Sequence, residues 1–339
     1  MATEIAVHEP RHGNDAVLEI PVSIDRPEPT FLIGSRRSGS TLFRLMLGAH
    51  PDVAFRRHAE VEHAFRLMKP GGGLPSDLSS YFAAIESDYQ CSQSNLSADR
   101  SLPLDQVLKQ FWDQAAREDN AYLNMGTVHA NFSSIPKVWP EARYIYLYRD
   151  GRDVARSRIN LGWEGSYWSA IGKWIESEDE WQRMKLDLDP KSYLEVRYED
   201  LVLETDSTLR EVCSFLGVAF TKRILSYTQT SSYKEPDPAL VNQWKIDATE
   251  MDIRTAECRA GKHLEARSYP LSGLSIAEVD PSQAYRLERK GIWKRRFRRA
   301  RSRGFGNSFL EIFSRRFGLS RLHTSVALSI DKRRQSFLA

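Results

Sequence analysis

The strongest constraint in the sequence is a short apolar run, Thr30-Phe31-Leu32-Ile33, that breaks into the polar turn Gly34-Ser35-Arg36-Arg37-Ser38-Gly39-Ser40-Thr41. Apolar residues then resume as Leu42, Phe43, Leu45, Met46 and Leu47 before Gly48. The first run reads as a strand, and the second, spaced by three and four, as a helix closed by glycine. The turn between them has the spacing G-x-x-x-x-G-x-T. Glycines at those places let successive N–H groups face one anion, and the positive end of the helix adds to the attraction. A loop that hydrolyses ATP or GTP also needs a lysine just after the second glycine, and Ser40 stands there instead. Arg36 and Arg37 put cations on the loop. A turn that merely reverses the chain is the competing reading for the loop taken alone.

Two similar units follow. Tyr144-Ile145-Tyr146-Leu147-Tyr148 reads as a strand buried on both faces. It runs into Arg149-Asp150-Gly151-Arg152-Asp153, where an aspartate can cap a helix from Val154 to Asn160. Tyr193 to Tyr198 reads as a third strand, before a helix with Leu201, Leu203, Leu209, Val212, Phe215 and Leu216 that Gly217 closes. Helices without adjoining strands are expected over 103–118 and 168–185. The alternation predicts an α/β fold: a P-loop-type, mostly parallel sheet flanked by helices in a single domain. Arg149 and Ser157, eight residues apart, form a second cationic and hydroxyl cluster about two helical turns long. An aspartate at that strand end would suggest Mg-nucleotide chemistry, whereas an arginine suggests a second phosphate held without metal. A structural ion pair between Arg149 and a carboxylate is the alternative.

Charge divides the 339-residue chain in two. Residues 1–285 carry 32 Lys/Arg against 42 Asp/Glu, a net of −10, whereas residues 286–339 carry 16 against 3, a net of +13. The expected organisation is a polar arm over 1–29, the α/β domain over 30–285 and a helical basic extension over 286–339. In that tail Phe309, Phe313 and Phe317 recur every four residues beside Arg315 and Arg316, the pattern of a cationic amphipathic helix. The tail suits either an anionic lipid surface or acidic partner, or packing on the acidic body; no nucleic-acid-binding fold motif accompanies it. Cys91, Cys213 and Cys258 are too few and too scattered for a disulfide framework. The spacing in His58-Ala59-Glu60-Val61-Glu62-His63 is not that of a metal site, so no metal is expected. With no signal-like apolar stretch at the N-terminus, a cytoplasmic protein is expected, the tail offering a route to peripheral membrane attachment. Trp163, Trp168, Trp174 and Trp181 are expected as core or pocket wall.

Three stretches resemble the sulfotransferases that use 3′-phosphoadenosine-5′-phosphosulfate (PAPS) as donor. FLIGSRRSGSTLFRLMLGAHPDV is similar to the 5′-phosphosulfate loop of the tyrosylprotein and bacterial members. WPEARYIYLYRDGRDVARS is similar to the 3′-phosphate segment, and EVRYEDLVLET resembles a third family segment. The resemblance implies that Arg37, Ser38, Gly39, Ser40 and Thr41 hold the 5′-phosphosulfate and that Arg149 and Ser157 hold the 3′-phosphate. It further implies that Tyr198 lies near the nucleotide and, more loosely, that Ser232 touches it. Two departures stand out. Where tyrosylprotein-like members carry a catalytic glutamate this chain has His58, with Glu60 the competing base, and Asn124 replaces a lysine that supports the leaving group. Arg37, and Arg36 in place of that lysine, are the cations left for the leaving oxygen. The expected reaction is metal-free transfer of a sulfuryl group from PAPS to a hydroxyl or amine. The acceptor is open among carbohydrate, lipid head group, tyrosyl peptide and small phenol. A P-loop small-molecule kinase and a sulfotransferase-like nucleotide-binding protein with impaired catalysis are the alternatives.

Overall fold

The structure is a computed structural model that describes residues 27–56, 58–68 and 72–303, with side chains as far as Phe297. Among these residues five strands form one parallel sheet. They are β1 (Thr30–Ile33), β2 (Val53–Phe55), β3 (Leu123–Val128), β4 (Arg143–Tyr148) and β5 (Tyr193–Arg197), ordered β2-β3-β1-β4-β5. Central β1 pairs on one side with β3, Ile33 opposite Val128, and on the other with β4, Ile33 opposite Tyr146. The chain runs outward from β1 to β2, returns through β3 and crosses to β4. Ligands of open parallel sheets bind outside the carboxyl ends of the strands where the order reverses in this way. Both polar turns singled out in the sequence leave the sheet there.

The helices are α1 (Ser40–Gly48), α2 (Ala59–Leu67), α3 (Ser79–Glu86), α4 (Leu104–Asp119), α5 (Gly151–Asn160), α6 (Tyr167–Lys185), α7 (Tyr198–Leu203), α8 (Thr205–Leu216), α9 (Tyr227–Thr230), α10 (Trp244–Asp247), α11 (Glu250–Ala266) and α12 (Pro281–Arg303). The expected helices over 103–118 and 168–185 correspond to α4 and α6. One face of the sheet packs Leu32, Ile145 and Leu147 against α1 and α8 through Phe43, Met46, Val212 and Leu216. The other packs Phe31, Ile33, Tyr144 and Tyr146 against α2, α4 and α6, with Phe31 touching Trp112 and Trp139. A third cluster joins α5, α6 and α11 through Val154, Ile171, Trp174 and Ala260. Each large apolar side chain buried in these layers contributes roughly 1.5–3 kcal/mol.

Trp174 and Trp181 are fully buried, so two of the four clustered tryptophans are core. Trp174 also positions the second polar turn: its indole N–H donates to the Arg149 carbonyl at 3.1 Å, and a Cβ on Gly151 would stand 2.6 Å from its ring. α12 begins at Pro281, so the boundary drawn at Tyr285 falls inside this helix. It meets the α5–α6 turn backbone to backbone; a Cβ on Gly165 would lie 2.0 Å from the Gly291 carbonyl oxygen. Most of the polar arm and residues 304–339, with Phe309, Phe313 and Phe317, lie outside the described residues.

Candidate active site at the carboxyl ends of the strands

The loop after β1 is shaped by positions that admit no ordinary side chain. Gly34 has φ 137° and its missing Cβ would stand 2.3 Å from the Leu147 carbonyl oxygen on β4. Gly39, φ 100°, passes so close to Tyr198 that a Cβ would lie 2.2 Å from the ring. Between them Arg37 holds φ 84°, a strained conformation for a non-glycine residue, of order 1–3 kcal/mol. The loop delivers the chain into α1, whose N-cap is Gly39, with no side-chain cap and no acidic residue in its first turn. Ser38 is buried, and among the described residues its hydroxyl has no partner. A buried donor left this way costs about 1–3 kcal/mol, so an anion accepting from it would recover that amount.

The turn after β4 supplies the facing wall. Asp150 caps α5 by accepting from the Arg152 N–H. Arg152 itself is locked in the interior: it forks onto Asp150 at 3.0 and 2.8 Å, reaches Glu257 at 2.6 Å and stacks over Trp244. Arg149 is placed differently. Its guanidinium lies over the Tyr198 ring, 4.2 Å from the centroid, and donates to Asp153 at 3.3 Å and to the Leu240 carbonyl at 2.6 Å. Its Nε, buried, has no partner among the described residues. Arg37 Nε donates to Ser157 Oγ at 3.0 Å. The residues expected at the two ends of the donor, Arg37, Gly39, Arg149, Ser157 and Tyr198, are thus assembled in one place.

Burial is the largest cause lowering the Arg37 pKa below its ordinary value, and nearby Arg149 lowers it further. Arg158 is lowered in the same way, first by burial, then by Arg36 against the opposing pull of Glu164. Like charges held together out of water are unfavourable unless an anion joins them. Trp163 lies within cation–π range of both Arg37 and Arg158, at 5.7 and 5.8 Å, so its ring stands beside the loop arginine. Ser40 and Thr41 open α1. Ser232 is exposed on the segment after α9, and it is its neighbour Tyr233 that interacts electrostatically with Arg37.

The expected base is not where the sequence put it. His58 lies in the core, stacked on Trp112 at 4.3 Å and packed against Gly126 in the middle of β3, short of the strand end that faces the loop. Burial, with Arg56 adding to it, lowers its pKa to about 3, so the ring is neutral and a weak proton acceptor. Glu60 is buried, its carboxylate beside Cys91 and its backbone carbonyl accepting from the Tyr81 hydroxyl. The carboxylate that reaches the loop from α2 is Glu62, paired with Arg36. Asn124 is buried on β3, facing away from α1.

The histidine that does meet the loop is His129, the residue after β3. Its Nδ1 lies 2.9 Å from the Gly34 carbonyl and its Nε2 3.2 Å from Ser40 Oγ. A carbonyl only accepts, so Nδ1 carries the proton and the Nε2 lone pair accepts from the Ser40 hydroxyl. The signal for it was positional: with β3 recognised, His129 is the first polar residue beyond the carboxyl end of a central strand. His129 and Arg36 also open onto a groove of about 1160 Å³ that Ser35, Lys137, Arg158 and Glu176 help line. The groove shares Ser35 and Arg36 with the loop but is not lined by Arg37, Arg149, Ser157 or Tyr198. Anion site and groove therefore adjoin across the loop.

Among the described residues, His63, Asp88 and Cys91 come close enough together to hold a metal ion. Arg66 donates to His63 Nδ1, leaving Nε2–H to donate to Asp88 at 2.9 Å, which satisfies the imidazole within the protein.

Comparison with known proteins shows the family. Protein-tyrosine sulfotransferase of Drosophila melanogaster is 26% identical over 217 residues, 61% of this chain and 42% of that protein. Protein-tyrosine sulfotransferase 1 of Danio rerio is 26% identical over 221 residues, 62% of this chain and 59% of that protein. The chain thus spans about half the length of these relatives. The sulfotransferase domain from the curacin biosynthetic pathway shares the fold at 18% identity and TM-score 0.50, covering 73% of this chain and 99% of that domain. The profile of the sulfotransferase family matches residues 29–222, more than half the chain and every strand of the sheet, and on that match the protein belongs to the sulfotransferase family.

Proposed function

We propose that the chain transfers the sulfuryl group of PAPS to an acceptor hydroxyl, with His129 as the base. The observation that carries this reading is the pair of joined anion sites: the loop of Ser38 and α1, and the wall of Arg149, Tyr198 and Ser157, bridged by the Arg37–Ser157 bond. A donor with a 5′-phosphosulfate and a separate 3′-phosphate fits two such sites, and hydroxyls and guanidiniums are ligands for anions. Ser40 where a nucleotide-hydrolysing loop has lysine, and Arg149 where a metal-binding aspartate would stand, weigh against the small-molecule kinase.

In the step itself the acceptor oxygen bonds to sulfur as the bond from sulfur to the 5′-phosphate oxygen breaks. The electron pair leaves on that oxygen, facing Arg37 and the loop N–H groups, and the acceptor hydroxyl takes the place of Ser40 at His129 Nε2 and passes its proton there. The Nδ1–H bond to Gly34 fixes the tautomer this requires. The curated relatives' name makes a tyrosyl hydroxyl the first acceptor to test, and the groove leading from His129 has room for a side chain of that size.

Calorimetric titration with adenosine 3′,5′-bisphosphate should show metal-independent binding that exceeds binding of Mg-ATP; preference for Mg-ATP would sink the proposal. With labelled PAPS and a tyrosyl peptide, His129→Ala should slow transfer by about 10²–10⁴ with bisphosphate affinity little changed. Loss of transfer in His58→Phe with full activity in His129→Ala would return the base to the α2 segment. Tight bisphosphate binding without transfer to any phenolic, sugar or lipid hydroxyl would identify the impaired form.

A further inference from the structure

α12 holds a second concentration of positive charge, built unlike the first. Residues 286–303 contain ten Lys/Arg and one acidic residue, Glu288. The helix lies on the body through Ala284, Leu287, Glu288, Gly291, Ile292 and Arg295, all buried or half-buried. On that side Glu288 pairs with Arg259 and Arg295 with Glu164. The opposite side is exposed at Tyr285, Arg286, Arg289, Lys290, Trp293, Lys294, Arg296 and Phe297. Among the described residues none of these five cations forms a close ion pair with a carboxylate, Arg286 acting on Asp280 only through space; Arg286 donates to Ser282 and Arg289 to Tyr285.

Trp293 and Phe297 stand in the middle of that charge. They are one turn apart, 69% and 51% exposed, with rings stacked 6.0 Å apart and 4° from parallel. A helix packed wholly on its own domain would turn these rings inward; here the inner side is built from Ala284, Leu287, Gly291 and Ile292 with two ion pairs. Exposed aromatic rings ringed by Lys and Arg match the boundary between lipid head groups and acyl chains, where an aromatic sits with one end dry and one wet while cations meet lipid phosphates. No helix among the described residues is long and apolar enough to cross a membrane.

We infer that the outer face of α12 docks the protein onto an anionic lipid bilayer, Trp293 and Phe297 entering the interface and Arg286, Arg289, Lys290, Lys294 and Arg296 meeting the head groups. A bilayer suits this face better than an acidic peptide or a nucleic acid. The face is convex and has no groove to fix a peptide, and its aromatic rings stack on each other and not on a platform that would receive bases.

The test uses the full chain with vesicles of phosphatidylcholine, alone or with three parts in ten phosphatidylglycerol, read by co-sedimentation. Binding should require the anionic lipid and weaken steeply from 0.1 to 0.5 M salt as screening shortens. Each cation removed should lower partitioning about fivefold. Trp293→Ala with Phe297→Ala, and separately Arg289→Glu with Arg296→Glu, should each reduce binding more than tenfold, with unchanged bisphosphate affinity showing that the variants are folded. Brominated acyl chains should quench the emission that Trp293→Phe removes. Vesicle binding unchanged in both double variants would overturn the inference, as would equal binding to neutral vesicles. Tighter binding to duplex DNA or a polyglutamate peptide, lost in the same variants, would assign the face to that partner and overturn it too.

Discussion

The guanidiniums at the strand ends and the cations on α12 are chemically alike, yet they stand in opposite surroundings. Arg37, Arg149 and Arg158 are largely withdrawn from water, held by hydroxyls, carbonyls, aromatic rings and, for Arg149 and Arg158, one carboxylate each, and set close to like charges. Charges fixed in that way favour one small polyanion of matching geometry and are weakly screened by salt. Arg286, Arg289, Lys290, Lys294 and Arg296 are exposed and spread over three turns, their heads touched among the described residues at most by Ser282 and Tyr285 of their own helix. They suit an extended surface of indefinite structure. Burial and pre-organisation, not the number of charges, separate a binding pocket from a docking face.

The most severe way to probe that contrast is at Arg152, three residues from Arg149 but enclosed by Asp150 and Glu257. Arg152→Ala leaves two buried carboxylates unpaired and should lower the unfolding free energy by about 3–5 kcal/mol in urea titration. If Arg149 is instead a binding residue, Arg149→Ala should weaken adenosine 3′,5′-bisphosphate about 10–100-fold by calorimetry while moving the urea midpoint little. A large stability loss there would make it a structural ion pair of Asp153.

A smaller effect concerns a buried group kept neutral. The pKa of His58 is about 3 in the folded protein, against about 6.5 when unfolded. The unfolded chain therefore takes up a proton that the folded chain refuses, and stability falls as the pH drops from 6.5 toward 3, by about 2 kcal/mol at pH 5. His58→Phe keeps a ring against Trp112 and should remove that part of the pH dependence of the urea midpoint. The smallest effect is expected on α12, where Arg289→Ala should alter unfolding free energy by less than about 0.5 kcal/mol and bisphosphate affinity not at all.

How much of this was legible in the sequence follows from where each element gets its stability. β1, β4 and β5 announce themselves by their own apolar residues, and the turns after β1 and β4 by glycines and arginines at fixed spacing. β3 does not: Leu123-Asn124-Met125-Gly126-Thr127-Val128 has a poor intrinsic preference for a strand and is held by pairing on both sides, with every residue buried. Missing β3 meant missing His129, because a residue's place at a strand end is known only once the strand is. His58 was misplaced for a related reason. Counting from the loop fixes its position along the chain, but the adjacent Trp112, from α4, decides that its ring turns into the core. The clamp of Arg152, Trp244 and Glu257 joins residues more than ninety apart and leaves no local pattern.

The contact between Gly165 and Gly291 has a consequence for how the protein can be engineered. Because a Cβ on Gly165 would run into the Gly291 carbonyl itself, no intervening side chain can yield, and one added carbon at Gly165 must lift the helix, whereas a Cβ on Gly291 would meet the side chains of Ser166 and Ser169. Gly165→Ala is thus a single-atom wedge that separates the helix from its seat while altering no charge and no catalytic group. Lifting it would also take Arg295 away from Glu164, whose other partner, Arg158, lines the groove. The same wedge would then show whether what happens on the outer face of α12 is felt at the mouth of the acceptor groove.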